Sequence, residues 1–371
     1  MKKVVIIGGG ISGLISSILL AKNGIPSLVI EKKSYPFHRV CGEYISNEAV
    51  SFLESMDLYP GQFNPPKITR FQMSSIKGRS QILPLDLGGF GISRFSFDHF
   101  LFLKARSLGV EFNLETSVEN VDFLGQSFKV FLSTGDPVEA EIVIGAFGKR
   151  SGIDMKLQRP FIRKRSPYVG VKYHVSVNHP DDMIALHNFE GGYCGVSKVE
   201  YNVTNVCYLV HRDQIRANGS ITNFEERVLR RNPFVNDLWG TGGFLFDKPE
   251  VINEISFERK SAVENHILMA GDSAGLITPL CGNGMAMGIH ASYLVTECIR
   301  NYFEGRLSRA ALEYNYAKAW AQTFSQRLFF GRNIQRLFGS EWGSSFAVSL
   351  ALHFKPLAMQ LIRRTHGKPF T

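Results

Sequence analysis

An α/β fold with a buried parallel sheet, an inserted antiparallel sheet and a helical C-terminal region is what the sequence predicts, and three observations carry it. Within its first 31 residues the chain reads strand, tight turn, helix, strand. Residues 168–257 alternate at the period of β-strands. From about residue 307, apolar side chains recur at helical spacing with arginines between them.

The opening strand is the unbroken run Val4, Val5, Ile6 and Ile7, which suits a strand covered on both faces. Gly8, Gly10 and Gly13 follow in G-x-G-x-x-G spacing, with Ser12 inside the turn. The first glycine permits the turn, the second lets a pyrophosphate approach the backbone, and the third lets helix pack on strand. The free N–H groups and positive dipole end of the helix then face the anion. A second strand ends at Glu31, placed to accept hydrogen bonds from an adenosine ribose. Glycine spacing alone is a weak signal, but strand, helix, second strand and terminal acid together define a Rossmann-type dinucleotide site.

The 371 residues, 44% of them apolar, suffice for two domains of ordinary size. The expected division is a discontinuous dinucleotide-binding domain (1–70, 90–160 and 258–305), a substrate domain (71–89 and 161–257) and a C-terminal helical region (306–371). Between the segments, 47–58 reads as an amphipathic helix and 68–84 as strands of the second sheet. Residues 92–101 read as a strand end and the start of a helix with Asp98 in its first turn, which runs through 104–108 and is capped by Gly109; short strands cover 117–123 and 128–132, and 140–145 is a buried strand breaking into a glycine turn. One polar helix is expected near 222–230.

Lys and Arg outnumber Asp and Glu by 42 to 33, a net charge of +9, without the basic-aromatic interleaving that would point to nucleic acid. Five scattered cysteines lack metal-site spacing and predict reduced thiols and no metal. The first strand starts almost at Met1, so no signal peptide is expected, and no run approaches the ~20 apolar residues of a spanning helix. A cytoplasmic location follows as the expectation, with membrane association left open.

Residues 266–284 carry the second motif: an apolar strand ends in Gly271-Asp272, bends through small residues and Pro279, and passes Gly282-Asn283-Gly284 into a helix. With the opening turn and Arg94, this resembles the FAD-dependent superfamily of p-hydroxybenzoate hydroxylase, related aromatic monooxygenases, flavin halogenases and geranylgeranyl reductases. The resemblance spans about three hundred residues and leaves the C-terminal part outside. It implies FAD, with Gly271 and Asp272 at the ribityl chain and pyrophosphate, and Pro279, Gly282, Asn283 and Gly284 at the flavin pyrimidine edge. Gly8, Gly10, Ser12, Gly13 and Glu31 take the ADP half, with Arg39, Cys41 and Arg94 beside the cofactor. On residue type alone, Arg39 reads equally as a solvated charge, Cys41 as a small buried hydrophobe and Asp272 as a helix cap. NAD(P)H is implied as a transient electron donor, since no second nucleotide fingerprint occurs.

Departures from the superfamily bear on the reaction. Hydroxylases usually carry Asp-Gly after the middle strand, whereas here Phe147 precedes Gly148; Cys41-Gly42-Glu43 looks more like the reductases. The first tryptophan is Trp239, so the Trp-rich halogenase motif is missing. The favoured expectation is an NAD(P)H-dependent flavin monooxygenase acting on a lipophilic or aromatic substrate. A geranylgeranyl-reductase-type double-bond reductase is the alternative, and a non-catalytic flavoprotein binding a lipid or partner is the third reading. Tyr173, His174, His187 and Tyr193 are candidates for positioning or deprotonating a substrate hydroxyl, each also readable as a packed strand residue. The pocket walls are expected in 168–187 and 191–197. The C-terminal region reads as helices packed on the first domain or as a surface for peripheral membrane contact, and its charge would equally suit an acidic carrier protein holding the substrate.

Overall fold

The computed structural model describes residues 2–164, 166–278, 282–335 and 338–371. Pro279, Cys281, Arg336 and Leu337 lie outside the described residues.

Strand Lys2–Ile7 is the centre of an eight-stranded sheet, flanked in parallel by Ser27–Ile30 on one side and Val138–Gly145 on the other. Glu111–Asn113 and Ile267–Met269 extend it, also in parallel. Val4, Val5 and Ile6 are wholly buried, the environment that an uninterrupted β-branched run fits. Helix Ile11–Lys22 packs beneath the sheet against helix Gly284–Phe303.

The second sheet has nine strands and is mostly antiparallel, with one parallel junction where Met183–Phe189 lies beside Lys67–Ser74. That junction makes it a mixed sheet, because a chain segment before the insertion supplies strands Lys67–Ser74 and Ser80–Gly91 to the strands of 168–211. The short strand Tyr44–Ser46 joins the same sheet through Ser80–Gly91. Three helices, Arg212–Asn218, Ile221–Arg227 and Pro233–Thr241, stand where one polar helix was expected. They cover the face on which Val171, Tyr173 and Val175 are buried with Phe224, Val235 and Leu238. The period-2 alternation of strand Tyr168–Ser176 turns Gly170, Lys172 and His174 the other way, toward the first sheet.

The segment expected as a helix over 47–58 is shorter, a 3₁₀ turn at Asn47–Ala49 followed by helix Val50–Ser55. Helix Arg94–Ser107 starts after Ser93, whose hydroxyl accepts from the Ser96 N–H. At the C-terminus, helix Arg309–Gln335 leads to Glu341–His353 and Lys355–Arg363. The latter two pack on Met73 and Leu83 of the second sheet.

Candidate functional site

One cavity of about 1300 Å³ lies between the sheets, and its wall is polar at one end and apolar at the other. The polar end is built by the two glycine turns, which meet although some 270 positions separate them. Gly8 has φ of +103°, and a Cβ there would sit 2.5 Å from the Ala146 carbonyl oxygen, so only glycine fits the crossing. A Cβ on Gly13 would lie 2.0 Å from the Gly8 carbonyl oxygen, which is how closely helix and strand pack. Gly10, the N-cap, differs: it adopts ordinary extended backbone, its helix start has no side-chain cap, and a Cβ would meet only Arg94 Nη2 at 3.5 Å. The open space before Gly10 is therefore cavity, with uncapped N–H groups facing it. Ser12 joins the turns, its carbonyl accepting from Ser292 Oγ at 2.9 Å and its side chain filling the space beside Gly271 and Gly288.

Glu31 is buried and accepts from the Gly9 N–H at 2.8 Å and from Arg39 Nη2 at 3.0 Å. Arg39 also pairs with Asp98 at 3.3 Å, and Asp98 takes a bidentate pair from Arg94, both bonds 2.7 Å. This carboxylate–guanidinium chain keeps both arginines at the cavity wall. The Arg94 guanidinium, although burial works against its charge, is held fully protonated by Asp98, and it also reaches the Cys41 thiol. Cys41 is half-buried and lines the cavity.

The late motif is held from behind. Arg159, wholly buried, pairs with Asp154 at 2.9 Å and donates to the carbonyls of Ser273 and Ser261. Lys260 donates to the carbonyls of Asp272 and Lys149, and burial lowers its pKa to about 8. The Asp272 carboxylate makes no hydrogen bond among the described residues and faces the cavity, unlike a cap, whose oxygen would accept from the helix backbone. At the next helix start Asn283 Nδ2 donates to the Thr365 carbonyl, while its Oδ1 is buried at the cavity wall without a partner among the described residues.

A buried ionic group stands beside this site that sequence reasoning missed. Glu43 is fully buried; its carboxylate accepts from Lys172 Nζ, from His174 Nε2 at 2.6 Å and from the Arg94 N–H at 2.8 Å. Burial pushes the Glu43 carboxyl up, but Lys172 and His174 outweigh it and bring it down to about 2. His38, packed on His174 and Phe246, is kept neutral by burial and by Lys172, its pKa lowered to about 4. The signal was the Cys-Gly-Glu run itself, read for its cysteine rather than its acid.

The apolar end is lined by Phe71, Met73, Leu83 and Leu85 from two strands, by Ile184, Leu186, Tyr193 and Leu209, and by Phe338, Phe346, Leu350, Leu361 and Ile362 from the C-terminal region. Of the walls expected in 168–187 and 191–197, only Gly170, 184–186, Tyr193 and 195–197 reach it. Tyr173 faces the opposite side of the sheet, its hydroxyl 3.0 Å from Glu225. His187 also lies off the cavity, 2.9 Å from Ser74 Oγ and stacked on Phe234, and burial lowers its pKa to about 3. His174 sits behind Glu43. Of the four candidates only Tyr193 is in the wall, donating to Gln335 Oε1 at 3.1 Å.

The glycine cradle open at Gly10, the arginines Arg39 and Arg94, Glu31 and the buried Asn283 Oδ1, unpartnered among the described residues, fit FAD along the polar end. The fold and site of the chain are similar to those of FAD-dependent oxidoreductases, as the comparisons with known proteins bear out. Residues 1–61 match the family model described as "FAD binding domain". Among curated proteins it is 21% identical to conditioned medium factor receptor 1 of Dictyostelium discoideum, over 96% of this chain and 72% of that one. It is 24% identical to a digeranylgeranylglycerophospholipid reductase of Methanosarcina acetivorans, over 86% and 80%. Among solved structures, the flavin-dependent halogenase CmlS superposes with a TM-score of 0.81 at 19% identity, covering 100% of this chain and 74% of that one. A geranylgeranyl bacteriochlorophyll reductase-like protein from Thermoplasma acidophilum gives 0.80 at 17% identity, covering 98% and 95%.

Proposed function

We propose that the protein is a double-bond reductase acting on a long lipophilic substrate, with NAD(P)H as its transient electron donor. The observation that carries this reading is the apolar end of the cavity, whose aliphatic and aromatic wall continues from the cofactor end to the C-terminal helices. A phenol-hydroxylating site needs a group that orients or deprotonates a hydroxyl. Of the groups expected in that role, Tyr173, His174 and His187 stand off the cavity and Tyr193, in its wall, gives its hydroxyl to Gln335, which favours the reductase over the hydroxylase. Bound FAD supplies a two-electron redox centre, and saturation of a carbon–carbon double bond takes a hydride equivalent from it plus one proton. Cys41 Sγ, in the wall beside Arg94, is the group proposed to hold that proton. Phe147, half-buried in the wall where hydroxylases carry an acid, helps exclude water.

The test is turnover of a polyprenyl substrate by chemically reduced enzyme under strict anaerobiosis. The reading expects product two hydrogens heavier and formed without oxygen. Product formed only with O2 and carrying an oxygen atom from it would replace this reading with hydroxylation. Cys41→Ala is expected to lower turnover with FAD content unchanged.

A further inference from the structure

We propose that the elbow joining helices Glu341–His353 and Lys355–Arg363 docks on an anionic lipid bilayer and delivers substrate to the cavity beneath it. The delivery half rests on the lipophilic-substrate reading above; the docking half does not. The two helices meet at 112°, and at their junction six consecutive residues, Leu352 to Leu357, are all exposed. Phe354 is 62% exposed, and Trp342, stacked on Phe346 at 5.5 Å, is 75% exposed. Leu352, Phe354 and Leu357 expose large apolar groups at the elbow itself, with Trp342 at the far end of the first helix, which is unusual for a surface that meets only water.

The opposite face of the same pair is fully engaged. Val348, Ala351 and Ala358 are buried against Met73 and Leu83, while Leu350 and Ile362 line the apolar end of the cavity. The helix pair is thus one layer thick between cavity and exterior. Charge selects the occupant. Over 341–371 the chain carries Lys355, Arg363, Arg364 and Lys368 against Glu341 alone. Glu341 is itself paired with Lys77 and Arg363 with Asp86, which leaves Lys355, Arg364 and Lys368 in excess. Basic side chains beside aromatic and aliphatic ones match a headgroup layer over acyl chains. Among the described residues no single helix is long and apolar enough to cross a membrane; the two helices together are, but their 112° bend and the burial of Val348, Ala351 and Ala358 against the second sheet fit lying in the interface.

Flotation of the FAD-loaded protein with vesicles of phosphatidylcholine alone, or of phosphatidylcholine with phosphatidylglycerol, tests the docking. The protein is expected to float with the anionic vesicles, less so as salt is raised. The double variant Phe354→Ser, Leu357→Ser should reduce the floated fraction at least about fivefold with flavin absorbance and melting temperature unchanged. Failure to float with either vesicle overturns the proposal, as would be found if the elbow takes an acidic protein instead. Flotation that survives the double variant overturns it too. Turnover of a detergent-dispersed substrate is read separately, so docking and reaction type fail independently.

Discussion

The two ends of the cavity hold their ligands by different physics. At the polar end the backbone does most of the work: glycines keep space open, helix starts are left uncapped, and a chain of carboxylates and guanidiniums fixes the rim. At the apolar end side chains from five strands and from the C-terminal region supply surface. A site of the first kind recognises one shape and charge, and a single extra carbon destroys it. A site of the second kind recognises length and dryness, and tolerates change in proportion to area.

Gly10→Val should break the polar end outright. The N-cap backbone accepts a side chain, so the protein is expected to fold, but the branched group occupies the pyrophosphate space and purified protein should be colourless. Full flavin content in a folded variant would undo the assignment. Glu43→Ala probes the boundary between the ends. It leaves Lys172 buried without its partner and is expected to cost about 3–5 kcal/mol in urea unfolding, part of which Glu43→Ala with Lys172→Met recovers.

Asp272→Ala is expected to weaken FAD by about 1–3 kcal/mol, measured by titration of apoprotein, with the melting temperature of the apoprotein held. A lowered melting temperature at unchanged affinity would return Asp272 to a structural role. Leu350→Trp takes the comparison to the other end: KM for a long-chain substrate should rise roughly tenfold while FAD affinity stays put.

A pH slope tests the boundary in another way. Glu43, at about 2, contributes stability above its ordinary value of 4.5 that is lost as pH falls toward 2. His187 at about 3 and His38 at about 4 stay neutral in the native protein, while the unfolded chain takes up protons below 6.5. All three have the same sign, so unfolding free energy should decline from pH 6.5 downward, by no more than about 1.4 kcal/mol per pH unit for each group. His187→Gln should flatten part of that slope, and an unchanged slope would show that burial does not hold this ring neutral.

This difference in physics also governs what could be read from the sequence. The tight turn through Gly8, Gly10 and Gly13 and the acid closing the second strand were legible as geometry, because the signal of each lies within a few residues. The same holds for Gly271, Asp272 and Gly282. Lys172 was not legible, because a lysine in a strand announces solvent until Glu43, 129 positions away, is folded against it. Phe346 and Leu350 read as the stripe of any packed helix, and only the fold turns them toward a cavity. Tyr173 and His187 were misplaced for a simpler reason. Alternation shows that one face of a strand differs from the other, but not which face meets the cofactor.

The tail 365–370 has a consequence for how the protein is made. The Thr365 carbonyl holds Asn283, the Gly367 N–H holds Glu48, and the Phe370 ring stacks on His290 at 3.9 Å. The glycine turn at 8–13 emerges from the ribosome first, its counterpart at 271–284 far later, and the segment that steadies that counterpart later still. The late turn is therefore complete only once residues 365–370 have folded against it.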